Sequence, residues 1–331
     1  MQTDSTKKHF RHFDNPATVY GLIEEIKSRH QSSYEEVIEK IVLQIQGYFE
    51  RSFPKGSNPT RFNKVKSGLV KEKFLIGLSG GIDSSVVTFL AVKAVGRDCI
   101  LPITMPARPD DESVYMSSLV RKVLNFEEPE AYYLINLEPI IQAHMSVMNE
   151  LAEKQLHLGA NHKLQTLEQK MRSGNFGSRV RIGVLSDLQR AIRGRILGTV
   201  NRTEFCQGYS TKFGTPVSYD FGVLNELYKV DLYEIAHLLG VPQEIIQTPP
   251  STGYFAGQTH EGELGATIEE QDIFAYLLFE RNLTPSQIAL QYGANEDFAY
   301  TIKHRFDVSE HKRVLNKLQE HVHVSRVPLA F

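Results

Sequence analysis

Apolar positions along the chain follow two rhythms. In "SSYEEVIEKIVLQIQGYFERSF", Val37, Ile38, Ile41, Val42, Ile45, Tyr48 and Phe49 recur at three- and four-residue spacing behind a serine, which predicts a capped amphipathic helix. From Phe74 onward the short apolar runs "FLIGLS", "CILPITMP", "YYLINL" and "RILGTV" alternate with the helical stretches "SSVVTFLAVKAV", "DESVYMSSLVRKVL" and "VRIGVLSDLQRAIR". That alternation predicts an α/β protein with a parallel sheet wrapped by helices. Residues 150–175 interrupt it: they are polar, contain Gly and Asn, and read as a partly mobile loop. The carboxyl third is helical again. "VDLYEIAHLLGVP" stops at Gly240 and Pro242, "TIEEQDIFAYLLFERN" opens with a capping box from Thr267 to Glu270, Thr284 with Pro285 starts another helix, and "SEHKRVLNKLQEHVH" forms the last. No internal repeat or low-complexity tract is present. The expected organisation is a polar tail over residues 1–15 and one domain over 16–331. Within it come amino-terminal helices (16–70), an α/β core (about 71–260) and carboxyl-terminal helices (about 261–325).

Composition narrows the function classes. The 331 residues are 41% hydrophobic and 23% charged, ordinary for a globular protein, and the formal net charge is −2. So balanced a charge provides no general attraction to nucleic acid or an anionic membrane, and any anionic ligand must be held by a local cluster. Cys99 and Cys206 are the only cysteines, which fits unpaired thiols in a reducing compartment. No apolar run reaches the length of a membrane span, and the amino terminus lacks the apolar core of a signal peptide. A cytoplasmic location is expected.

The densest chemistry lies in "FLIGLSGGIDSSVVTFLAV". A strand ending at Leu78 and a helix starting near Asp83 leave Ser79, Gly80 and Gly81 as the connecting turn. Glycines admit close approach of the backbone, and amides at the positive end of a helix favour an anion such as phosphate or pyrophosphate. Ser79, Ser84 and Ser85 add hydroxyl donors. The turn has neither the lysine of a P-loop nor the three-glycine spacing of a dinucleotide fold. Asp83 beside phosphates would repel them unless a divalent cation sits between, so it reads as a magnesium ligand. The alternative is that Asp83 and the serines simply cap a helix.

This segment resembles the SGGxDSS loop of the ATP pyrophosphatase superfamily, which implies an adenine nucleotide alpha hydrolase-like, doubly wound fold with helical additions at both ends. Residues 74–313 further resemble the ammonia-dependent NAD synthetase family, whose separated motifs recur here in the same order. The implied reaction converts deamido-NAD to NAD through an acyl-adenylate, consuming ATP and ammonia and releasing AMP and pyrophosphate. Carried over by position, the ATP contacts are Gly77, Leu78, Ser79, Gly80, Gly81, Ile82, Asp83, Ser84, Thr199, Lys229 and Ser251, with Asp83 and Lys229 catalytic. "LGTVNRTEF", similar to the family's GTxNxxE pattern, makes Glu204 a second magnesium ligand beside Asp83. "NFGSRVRIGVL", "TKFG" and "SEHKR" imply deamido-NAD contacts at Arg179, Lys212, Asp220, His311 and Lys312. Blander readings stand beside these: a solvated helix face at Arg179, and a capping acid at Glu204. "PPSTGYFAGQTHEGELG" resembles a mobile lid or, more plainly, a surface turn.

The chain departs from the family pattern at Thr215 and His260, where acids are usual, and at Gly222, where proline is usual. The first two loosen any assignment of the ammonia pocket. About seventy residues precede Phe74, too few for the amidohydrolase domain of glutamine-using relatives, so free ammonia or a separate glutaminase is the expected donor. The resemblance also implies a homodimer, to which the helix around residues 38–49 could lend apolar surface or which it could leave alone by covering the sheet. The rivals are a GMP synthetase-like or tRNA-modifying ATP pyrophosphatase, and a catalytically silent nucleotide-binding homologue. Against tRNA stands the lack of a basic, aromatic-interleaved tract.

Overall fold

Phe74, Leu75 and Ile76 are all fully buried, and successive side chains of a strand point to opposite faces. Phe74 and Ile76 join one hydrophobic cluster, whereas Leu75 joins another, so this strand divides two cores. The computed structural model describes residues 10–54, 72–108, 111–151, 162–251, 259–317 and 320–321. Within them a six-stranded sheet comprises β1 (Phe74–Gly77), β2 (Ile100–Thr104), β3 (Tyr133–Leu134), β4 (Arg195–Gly198), β5 (Phe221–Gly222) and β6 (Glu320–His321). All neighbours are parallel, in the order β3-β2-β1-β4-β5-β6. The winding direction reverses between β1 and β4, and open α/β sheets hold ligands outside the carboxyl ends of the strands at such a reversal.

Helices Tyr34–Ser52, Ile82–Val95 and Lys229–Leu239 supply the layer over Phe74 and Ile76. The layer over Leu75 comes from Pro16–Ser28, His162–Ile192, Ile268–Phe279 and Glu296–Val308. The expected stripe of Tyr34–Ser52 is the buried one: Val37, Ile38, Ile41, Val42, Ile45 and Tyr48 all face inward, and the Tyr48 ring stacks on Phe221 at 4.4 Å. Full burial of such a side chain stabilises the fold by about 2 kcal/mol each. The stripe therefore covers the sheet of its own chain and is not left over for a dimer.

The four runs expected as strands are strands, and the expected helices form at "SSVVTFLAVKAV", "DESVYMSSLVRKVL" and "VRIGVLSDLQRAIR". Other expectations are corrected. Residues 150–175 are not a loop where described: one helix ends at Leu151, and His162–Ile192 runs unbroken through "SGNFGS". A Cβ on Gly177 would stand 3.1 Å from Ile141 Cδ1, so this glycine lets two helices approach and marks no turn. Residues 10–14 are no polar tail. Phe10 and Phe13 are buried, the His12 ring stacks on Phe298 at 3.8 Å, and the Arg11 and His12 amides both donate to Glu270 Oε1 at 2.6 Å. The last expected helix stops at Lys317, and β6 follows beside β5. Two-residue strands such as β5 and β6 are too short to leave a periodic trace. No described helix is long and apolar enough to cross a membrane.

Candidate active site

At the carboxyl end of β1 the chain turns through residues 78–81 into the Ile82–Val95 helix. Leu78 is pinned by its amide to Ile103 O of β2 at 2.9 Å, and Gly80 then adopts φ +79°. A Cβ at Gly80 would lie 2.4 Å from Met116 Cβ and 2.5 Å from Ser117 N, so glycine is required both by conformation and by space. Gly81 occupies the cap position of the helix without a side-chain cap, which leaves the amino terminus available to an anion. Ser84 Oγ lies 3.1 Å from Ser79 Oγ and donates to Gly81 O at 3.1 Å; Ser85 Oγ donates to the same carbonyl at 2.8 Å.

Asp83, in the first turn, faces the loop that follows β4. Asn201 Nδ2 donates to its Oδ1 at 2.7 Å, and the Lys229 ammonium donates to its Oδ2 at 2.5 Å. Asn201 also caps the short Arg202–Gln207 helix: its Oδ1 accepts from Glu204 N at 2.9 Å, and Glu204 Oε2 accepts from Asn201 N at 3.4 Å. The capping role considered for Glu204 is thus real, and the same carboxylate still lines the cavity beside Asp83. Burial, with the Asp83 charge next in weight, pushes Glu204 up to about 8. Two partly buried carboxylates opposed by one buried lysine form a donor set short of positive charge, and a hard divalent cation fits it. Among the described residues no group of three or more His, Cys, Asp or Glu is arranged to hold a metal, so only sparse ligation by these two is available.

Lys229 is 1% exposed. Burial pulls its pKa down, but the carboxylates of Asp83 and Glu204 outweigh that, and the net shift is upward. Its backbone is fixed too. Lys229 N donates to Thr203 Oγ1 at 3.1 Å, Val230 N donates to Asp272 Oδ2 at 2.9 Å, and Thr203 Oγ1 donates to Asp272 Oδ1. Asp272, raised to about 7 chiefly by burial, therefore knits three helices together behind the lysine.

A cavity of about 610 Å³ is lined by all of residues 77–84 and by Thr199, Glu204 and Ser251. Lys229 and Asn201 stand behind Asp83 and line, with Glu204 and His260, a small adjoining pocket. Met105, Leu185 and Ile196 give the larger cavity an apolar wall, and Arg108, Arg181 and Tyr209 add polar lining that the motif reading did not single out. Arg181 Nε donates to Met105 O at 3.1 Å; the second arginine of "RVR" was its only sequence signal. His260 lines the cavity as well, packed edge-on to the Tyr209 ring at 4.7 Å, and burial, with Lys229 nearby, depresses it to about 3. It is a neutral imidazole in this setting. Thr215 also lines the cavity, its amide donating to Ser178 O at 3.2 Å. Of the expected lid, residues 252–258 lie outside the described residues, while residues 248–251 border the cavity and His260–Leu264 is a short helix.

The residues expected to meet deamido-NAD are placed differently. Arg179 Nε donates to Lys212 O at 3.2 Å, which brings these two together on the surface of the 208–216 loop. Lys312 Nζ donates to Gly208 O at 2.7 Å, at the start of the same loop, and His311 is exposed beside it. Asp220 stands apart, its Oδ2 accepting from Ile196 N at 2.8 Å and Gln189 Nε2 at 2.5 Å, and it does not line the cavity. Both arginines of "RVR" ride on the long helix.

Comparison with known proteins follows this geometry. The sequence model of the NAD synthase family matches residues 62–316. The NH(3)-dependent NAD(+) synthetase of Pyrococcus furiosus is 34% identical over 262 residues, covering 77% of this chain and 93% of that protein. The protein of the same name from Thermococcus sibiricus is 33% identical over 282 residues, covering 85% and 96%. Among solved structures, an NMN synthetase from Francisella tularensis is 26% identical at a TM-score of 0.62, covering 85% of this chain and 96% of that one.

Proposed function

The chain belongs to the NAD synthase family, and from that premise we propose that it amidates deamido-NAD with ammonia, using ATP. The observation that carries this reading is the convergence of Asp83, Glu204 and Lys229 beside the 79–81 turn, at the reversal point of the sheet. In this reading the amides and hydroxyls of residues 79–84 receive the phosphates. Asp83 and Glu204 would hold magnesium, which when bound supplies positive charge against the phosphate oxygens. The nicotinate carboxylate oxygen attacks the α-phosphorus, the bond to the β-phosphate oxygen breaks, and pyrophosphate departs. Negative charge grows on the α-phosphate in that step, and the fixed, desolvated Lys229 ammonium stabilises it most in the transition state. Ammonia then attacks the acyl carbon of the adenylate, AMP leaves, and a proton is released to give the carboxamide. A carboxylate alone would have to expel oxide; adenylation replaces that with AMP. The apolar wall at Met105, Leu185 and Ile196 limits water near the activated ester.

The test is incubation with ATP, magnesium, ammonium and deamido-NAD, expected to form NAD and AMP in equal amounts. AMP release that xanthylate stimulates and deamido-NAD does not would overturn the reading, as would no release with any acid. A second acceptor is favoured by one observation, the 26% identity to a structure named as an NMN synthetase. Nicotinate mononucleotide therefore belongs in the same assay, and faster turnover with it would move the assignment to that smaller substrate.

A further inference from the structure

The turn between the first two helices ends on a buried carboxylate two residues beyond Lys229. Asp231 is completely buried, and its Oδ1 accepts from Arg29 Nη1 at 3.0 Å, from Tyr34 OH at 2.7 Å and from His30 Nε2 at 3.2 Å. Its Oδ2 accepts from Arg29 Nη2 at 2.7 Å and from Tyr228 N at 2.7 Å. Arg29 Nη2 also donates to Glu226 O at 2.9 Å, so the same guanidinium grips the segment entering the Lys229–Leu239 helix and the helix itself. Arg29, His30 and Tyr34 lie before residues 62–316, and the family match assigns them no role.

Stability alone does not account for this arrangement. A buried ion pair is often no better for stability than well-packed apolar residues, because desolvation offsets the attraction. What a forked guanidinium with two further donors does provide is a single geometry. The bond from Tyr228 N to Asp231 closes the first turn of the helix, and Lys229 and Val230 are the two residues it encloses. On its other side the lysine's segment is held by Thr203 and Asp272. We infer that Arg29, His30 and Tyr34 are positioning residues that act through Asp231 to set the Lys229 ammonium against Asp83. This rests on the proposed function for its effect on turnover, though not for the geometry.

Two conservative variants test it, Tyr34→Phe and Arg29→Lys, each alone and combined with Lys229→Ala. In the unaltered background each is expected to lower kcat for deamido-NAD-dependent AMP release about tenfold while KM for ATP stays within about twofold. With Lys229→Ala in place, single-turnover rates should fall less than about twofold further, because the group being positioned is already gone. Equal fold-losses in both backgrounds, unchanged kcat, or KM for ATP rising in step would overturn the inference. A readout independent of turnover is the side-chain nitrogen resonance of Lys229 in 15N-lysine-labelled protein, identified by its loss in Lys229→Ala. It should shift in Tyr34→Phe, and an unmoved resonance refutes the positioning role whether or not the protein turns over deamido-NAD. Inactive unaltered protein with a shifted resonance would sink the functional reading and leave this one standing.

Discussion

Around Asp83, side chain meets side chain: Lys229 and Asn201 both donate to one carboxylate, and the Lys229 ammonium is buried. Around residues 208–216, side chains meet backbone: Arg179 and Lys312 donate to carbonyls at the surface of a loop. The first region has its charges oriented before any ligand arrives, the condition under which electrostatics lowers a barrier. The second has cations with no ionic partner among the described residues, so it supplies attraction without a fixed geometry. Rate should therefore be concentrated in the first region and affinity for the acid substrate in the second.

The sharpest way to break this contrast is Lys229→Ala. It should lower kcat for AMP release by about a thousandfold, on the order of 4 kcal/mol of transition-state stabilisation, measured under ATP saturation. A loss under about tenfold would mean the buried lysine is structural. Next comes Gly80→Ala, which forces a Cβ to 2.4 Å from Met116 Cβ in a left-handed backbone; it should destabilise the fold by about 3 kcal/mol, read from the urea midpoint. An unchanged midpoint would show that the turn can rearrange. In the second region, Arg179→Ala and Lys212→Ala should each raise KM for deamido-NAD about tenfold, close to 1.4 kcal/mol, with kcat within about twofold. A kcat loss instead would erase the division of labour. The smallest effect concerns His260. Its folded value, about 3, lies below its ordinary 6.5, so between those pH values the unfolded chain binds the extra proton. Stability should fall as pH drops from 6.5 toward 3 by on the order of 1 kcal/mol per pH unit from this group, and His260→Gln should flatten that slope. Urea midpoints at pH 4.5 and pH 7 would decide.

Much of the first region was legible because local rules dictate it. An apolar run, two glycines and a helix with acid and hydroxyls in its first turn require neighbouring residues only. The ion pair from Lys229 to Asp83 spans 146 positions and the Asn201 bond 118, and no periodicity foretells such pairings. Asn201 stood in the quoted motif, yet its double duty, capping with one end of its amide and holding Asp83 with the other, exists only in three dimensions. Residues 162–175 read as loop yet are helical, because glycine and asparagine signal a turn wherever packing is invisible. Asp220 shows the converse: motif position implied a ligand contact, while its carboxylate is occupied with the backbone of β4. Residues 10–14 looked polar in a linear reading because the surfaces that receive Phe10 and Phe13 come from far along the chain.

One more consequence follows from β1, whose alternate side chains enter different cores and whose end becomes the 79–81 turn. Neither layer can loosen without releasing one side of that strand. Slow hydrogen exchange at Leu75 and Ile76 should then proceed only when the whole molecule opens, and the nucleotide cradle should vanish together with the fold.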